Sequence, residues 1–190
     1  NNHFRIISSA ATRERDKFHI KRYLSKDIEL KDITDDQVVF GLFGPKSRDL
    51  IKTISKDNFD NDDFKFGTAK YITIENVEIW AQRLSYVGEL GYELYVDIKD
   101  AKKIYELLIE KGKDFNLSNC GMHAMDIMRM ESGFLHWGHD ISPEENQYQA
   151  GLSFTISKKK DVDFIGKQAL EKIKKEKIKN KFAMFTLKES

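Results

Sequence analysis

Residues 84–96 read LSYVGELGYELYV. Three tyrosines, two glycines and two glutamates share thirteen positions. Aromatic and β-branched residues on both sides read as strand, and Gly88 with Gly91 marks a tight reversal. Working outward, VEIWAQRLSY (77–86) supplies the strand before the reversal and GYELYVD (91–97) the strand after it. TAKYITI (68–74) precedes both, separated by Glu75-Asn76, a turn-like dipeptide. Three strands joined by short reversals form an antiparallel sheet, since parallel strands need a long crossover.

The flanks of this sheet read as helices and one further strand. QVVFGLFG (37–44) is an apolar run of strand length, expected to be buried on both faces. GPKSRDLIKTIS follows it, with Pro45 at a first helical position and Leu50, Ile51 and Ile54 on one side. DAKKIYELLIEKG (100–112) places Ala101, Ile104, Tyr105 and Leu108 on one face and stops at Gly112. GMHAMDIMRMESG (121–133) is a second such helix, also closed by glycine. TRERDKFHIKRYL (12–24) carries a modest stripe of Phe18, Ile20 and Leu24 behind a Thr12 N-cap. HFRIISS (3–9), GLSFTIS (151–157) and KFAMFTL (181–187) read as further strands, and residues 166–180 as a basic helix. Helices mixed with reversal-connected strands favour an α+β fold of mostly antiparallel sheets with flanking helices over a doubly wound parallel sheet.

Bulk composition narrows the functional classes. With 190 residues, 40% hydrophobic and 33% charged, the chain has the make-up of a soluble globular domain. A formal net charge of +1 provides no global field for nucleic acid or an anionic membrane. No apolar run approaches the roughly 18 residues of a membrane span, and no stretch reads as a signal peptide. The single cysteine, Cys120, excludes an internal disulfide and fits a reducing, cytoplasmic setting. The chain begins at Asn1 in what reads as a core strand, so its start is expected to lie inside a larger protein.

Glu93 is the anomaly of the sheet, because glutamate is a poor strand residue. A carboxylate presents two acceptor oxygens in one plane. That matches a ligand with two adjacent N–H donors, such as the ring amide and exocyclic amine of a pterin or guanine, with Tyr86 near enough to stack or donate. The alternative is an ordinary sheet carboxylate paired with Arg83 or a lysine. FLHWGHD (134–140) holds two histidines beside Asp140, but no partner cysteines or spaced imidazoles accompany them, so a loop around Trp137 and Gly138 is expected and no metal site. Asp126 and Arg129 stand at i, i+3 on one helix, close enough to pair. Lysines crowd residues 158–181, which reads as a solvated face or a weak attractor of an anionic tail. Neither a GxxxxGK[ST] loop nor a Gly-rich dinucleotide fingerprint occurs.

The order of the blocks carries a resemblance. FGLFGPKSRDLI, RLSYVGELGYELYV, GMHAMDIMRMESGFLHWGHDIS, AGLSF and DFIGKQAL resemble successive blocks of the glycine-cleavage T-protein (aminomethyltransferase) superfamily, across essentially the whole chain. In form they are most similar to the folate-binding C-terminal region of dimethylglycine and sarcosine dehydrogenases. The resemblance implies a ferredoxin-like folate-binding domain over 1–190, without the family's N-terminal third and C-terminal β-barrel. It implies that Glu93 grips the pterin ring and Tyr86 lines the pocket, with Glu89, Arg129 and Trp137 as further contacts. The catalytic aspartate of the family falls upstream of Asn1, so no catalytic residue is assigned. Glycine-cleavage members commonly carry Arg-Asp where this chain reads Met125-Asp126.

The implied activity is transfer of a one-carbon unit from an N-methyl amine, of dimethylglycine or sarcosine type, to tetrahydrofolate. Flavin (FAD) would be held only by an attached oxidoreductase domain or subunit, and this piece alone is expected to be inactive. Alternatives are the aminomethyltransferase of the glycine cleavage system, a folate-binding regulatory relative without turnover, and a relative demethylating a sulfonium compound.

Overall fold

The computed structural model describes residues 3–157, 162–176, 178 and 180–188. They form two compact units, one of residues 3–84 and 90–118, the other of residues 85–89 and the described residues from 119 onward.

The first unit is built on a four-stranded antiparallel sheet: β1 (Gln37–Phe43), β2 (Ala69–Ile74), β3 (Val77–Gln82) and β4 (Gly91–Asp97), in the order β1-β4-β3-β2. Strands β2 and β3 pair across the expected turn, with Ile74 opposite Val77. Strand β4 then inserts between β3 and β1. It meets β1 along its full length, from Phe43 opposite Gly91 to Gln37 opposite Asp97. The fold class read from the sequence is the one observed.

One face of the sheet is the core. Leu42, Ile72, Ile74, Ile79, Ala81, Tyr92, Leu94 and Val96 meet Leu50, Ile51 and Ile54 of α2 (Ser47–Ile54) and Ile104 and Leu108 of α3 (Ile98–Gly112). Each fully buried aliphatic side chain of this kind contributes about 1.5–3 kcal/mol of transfer free energy. Phe59 and Phe64, from the connection between α2 and β2, complete the cluster. The opposite face carries Val39 and Gly41 of β1, Glu93 and Tyr95 of β4, and Trp80 and Gln82 of β3. Alternation puts them there, because Leu42, Ile79, Ala81, Tyr92, Leu94 and Val96, which alternate with them, belong to the core. β1 is therefore not buried on both faces as expected: Val39 is 50% exposed.

Helix α1 (Arg13–Tyr23) forms as the sequence suggests but buries none of its residues. Thr12 precedes it without capping a backbone N–H; its hydroxyl bonds the Asp16 carboxylate instead. Helix α3 is followed by a 3-10 turn, and the left-handed residue that ends the run is Asn116 (φ 59), not Gly112.

The second unit holds α4 (Met122–Glu131) and α5 (Lys167–Lys175). Gly133, with φ 73, closes α4 as expected. Three strand expectations fail. Residues 3–9 form no strand, 151–157 contain a 3-10 turn over Ser153–Thr155, and 181–187 have no regular structure. Alternating apolar residues make a strand only where a partner edge satisfies the backbone. No such edge meets these segments among the described residues. The lysine-rich stretch 158–161 and residues 177 and 179 lie outside the described set. No helix among the described residues is long and apolar enough to cross a membrane.

Candidate functional site

Glu93 stands in the middle of β4, half-buried, on the sheet face away from the helices. Its Oε2 accepts a hydrogen bond from the Tyr95 hydroxyl at 2.8 Å. Burial pushes the Tyr95 phenol well above its ordinary range, and the bond to Glu93 adds to that, so Tyr95 remains a donor. No ion pair to Glu93 occurs among the described residues. Arg83, the cation expected as an alternative partner, turns elsewhere and donates to the Phe64 carbonyl. The awkward strand carboxylate is thus held by one neutral donor and keeps acceptor capacity to spare.

Its surroundings follow from register. Glu93 faces Gly41 on β1 and Gln82 on β3. The Gly41 side offers no side chain, and the Phe43 ring fills that space. A Cβ on Gly41 would come within 2.6 Å of the ring, and one on Gly91 within 2.4 Å of it. Two glycines therefore let an aromatic ring lie against the sheet beside Glu93. On the other side Trp80 and Tyr95 pack edge to face at 4.7 Å, and the Arg5 guanidinium lies 4.2 Å from the Trp80 ring centre. Gln82 Oε1 is buried and has no hydrogen-bond partner among the described residues. Carboxylate, amide carbonyl and aromatic rings on one sheet face suit a flat heterocycle with N–H donors along one edge. A cavity of about 340 Å³ opens on the same face against Tyr95, Gln37 and Val39, bounded by Arg5–Ala10, α1 and residues 30–34. Glu93 does not line it.

The Phe43 contact carries a prediction. Gly41→Ala should leave stability nearly unchanged, because the atoms it meets are the far edge of a ring that can swing away. The displaced ring should weaken binding of any flat ligand at Glu93 by about tenfold, roughly the value of one aromatic contact. Paired thermal melts and ligand titrations of the variant check both halves.

The second unit gathers other expected residues. Tyr86 donates through its hydroxyl to the Leu135 carbonyl at 3.3 Å, and its ring meets His136 edge to face. Burial raises the Tyr86 phenol above its ordinary value. Arg129, on α4, is 4% exposed. Its Nε and one terminal nitrogen hold Asp126, at 2.8 and 2.6 Å. The other terminal nitrogen donates to the Phe134 carbonyl at 3.0 Å and to Asp140. Four of its five N–H groups are occupied in this way. Arg129 thus ties α4 to the 134–140 loop, in keeping with the pairing read from the i, i+3 spacing. The Arg129 bond holds Asp126 below the usual carboxylate range. Burial works against ionisation of Asp140, but the His136 amide and Arg129 outweigh it and keep that carboxyl low as well. Trp137 is 49% exposed, beside the turn made by Gly138. Glu89 is exposed in the 85–89 loop. His136 and His139 stack at 4.5 Å, yet no metal-holding group of histidine, cysteine and carboxylates occurs among the described residues.

Sequence reasoning did not single out Phe43, Gln82 or Tyr95. The available signals were the paired glycines of FGLFG and LGYEL and the common face of Trp80 and Gln82.

A family model described as the GCVT N-terminal domain matches residues 1–160. Mitochondrial dimethylglycine dehydrogenase of Homo sapiens is 36% identical over 161 residues, which are 85% of this chain and 19% of that protein. Aminomethyltransferase of Alkaliphilus metalliredigens (strain QYMF) is 30% identical over 188 residues, 98% of this chain and 51% of that protein. The solved glycine cleavage system aminomethyltransferase T from Bartonella henselae superposes with a TM-score of 0.62 at 21% identity, over 78% of this chain and 38% of its own. That likeness shows a shared fold. The chain spans about half or less of the length of these relatives.

Proposed function

The chain belongs to the GCVT N-terminal domain family, and from that premise we propose that it is the folate-binding part of a one-carbon transferase. It takes a one-carbon unit from an N-methyl amine of dimethylglycine or sarcosine type to tetrahydrofolate. The observation that carries this reading is Glu93: a strand carboxylate without an ion-pair partner among the described residues, oriented by Tyr95 and flanked by Phe43 and Gln82.

The residues fit a 2-amino-4-oxo pterin. Glu93 would accept the ring amide and one amine N–H in a single plane, a charge-assisted pair stronger than a neutral one. Phe43 would give the ring a flat apolar wall. Bound tetrahydrofolate supplies the ring nitrogens that accept the one-carbon unit. The chain's contribution is to hold that ring in one orientation, so that proximity lowers the barrier. Oxidation of the amine is assigned to a flavin-bearing domain or subunit outside these residues. Relatives named for dimethylglycine dehydrogenase and for aminomethyltransferase both align here, which supports a folate role shared by both branches.

The test is binding. At a hundred times its Kd, a ligand of the folded state adds about 2.7 kcal/mol of stability, a rise in Tm of about 5–10 °C for a chain of this size. 5-Formyltetrahydrofolate should produce that rise. An unmoved melting curve at millimolar ligand rules the reading out.

A further inference from the structure

Gln82 has a buried carbonyl oxygen without a hydrogen-bond partner among the described residues. A buried acceptor left unmade is costly, and native structures keep few of them. This one stands directly opposite Glu93 in the β3–β4 register. Residues so paired share a sheet face, with Cβ atoms about 4.5–5.5 Å apart. On the other side of Glu93 stands Gly41, which has no side chain to offer. The Tyr95 hydroxyl already spends its proton on Glu93. Gln82 is therefore the neighbouring side chain with an acceptor unclaimed.

A pterin edge presents three N–H groups, one on the ring amide and two on the exocyclic amine. A carboxylate lying in the ring plane takes the ring N–H and the nearer amine N–H. The second amine N–H points beyond the carboxylate and needs an acceptor of its own. We propose that Gln82 is a specificity-determining ligand residue, whose side-chain carbonyl accepts this second amine N–H while Glu93 takes the other two donors. The assignment rests on the folate reading above and adds a requirement that reading does not contain. Together the two side chains count all three donors of the edge, so a heterocycle that lacks the exocyclic amine leaves Gln82 unpaired and is rejected.

The experiment compares two ligands on the 190-residue chain: 5-formyltetrahydrofolate and its analogue with methyl in place of the 2-amino group. Gln82→Leu keeps the size of the side chain and removes the acceptor. It is expected to lose about tenfold in affinity for the parent ligand and to bind the methyl analogue as the unmodified chain does, so the preference between ligands narrows by the same factor. Without ligand, Gln82→Leu should melt at or above the original temperature, since an unpaired buried carbonyl has been replaced by an apolar group. Equal affinity of Gln82→Leu and the unmodified chain for the parent overturns the assignment and leaves the folate reading standing, provided Glu93→Gln still abolishes binding. An equal loss for both ligands also overturns it, because a merely structural role would act on both alike. If the unmodified chain binds neither ligand, the folate reading and the Gln82 assignment fall together.

Discussion

Glu93→Gln is expected to remove the folate-induced rise in melting temperature, with a loss of affinity of about a hundredfold or more. The substitution keeps the shape of the side chain and changes one oxygen into an NH2 group. Two things follow at the pterin edge. The charge-assisted pair becomes at best one neutral hydrogen bond, and hydrogen bonds to charged groups are worth about 1.5–3 kcal/mol against about 1 for neutral ones. The new NH2 also faces a ligand N–H, leaving two donors opposed. A site built to bond a donor rejects the unmatched partner by large factors for this reason. The fold should be spared. Tyr95 still has a side-chain carbonyl to donate to, and the variant leaves no buried charge unpaired. The unliganded chain should therefore melt within a degree or two of the original, since a substitution of this kind costs about 0.5 kcal/mol or less. Calorimetric titration with 5-formyltetrahydrofolate measures the affinity, and paired melts separate it from stability. Retained affinity would mean that the carboxylate is not what reads the ring, and the functional reading would lose its support.

Much of the sheet was legible because its cues are local. Strands β2 and β3 are announced by alternation around Glu75-Asn76, α2 and α3 by apolar spacing, and α4 by apolar spacing and its closing Gly133. Asp126 and Arg129 pair, as their spacing allows. What stayed hidden depends on contacts distant in sequence. Phe43 lies beside Glu93 because β1 and β4, separated by more than forty residues, are neighbours in register. Nothing in FGLFG alone says which strand its glycines will face. Asp140 completes the grip on Arg129 from a loop eleven residues away, with no periodicity to mark it. The opposite error has the same root. Residues 3–9 and 181–187 carry strand composition, but composition cannot supply a partner edge, and Phe4 and Phe185 are 88% and 86% exposed. The one oddity that could be read directly was the carboxylate in β4, because a charged group within a strand needs a reason wherever its partners lie.

Phe59→Ala should be the most damaging substitution for stability, and it tests how the core aims the site. Phe59 is fully buried in the connection between α2 and β2. Its ring meets Tyr92 edge to face at 5.6 Å and Phe64 at 6.1 Å, while Phe64 closes the triangle on Tyr92 at 5.6 Å. Tyr92 is itself fully buried, with Arg48 near its hydroxyl at 3.4 Å. Because side chains alternate along a strand, fixing Tyr92 in the core fixes its neighbour Glu93 on the opposite face. Removing the Phe59 ring deletes two of the three sides of the triangle and leaves a cavity, at a cost of about 3–5 kcal/mol. That is a large share of the 5–15 kcal/mol by which a folded domain usually exceeds its unfolded state. A Tm loss of about 10 °C is expected, and a weaker grip on folate should accompany it even at temperatures where the variant is folded. Phe59→Leu fills most of the space, so it should recover most of the stability and nearly all of the binding. Urea midpoints for both variants, with folate titrations at low temperature, separate the two effects. A Phe59→Ala chain that loses stability but binds folate unchanged would show that the β1 and β3 pairings hold Glu93 in place without help from the aromatic cluster behind it.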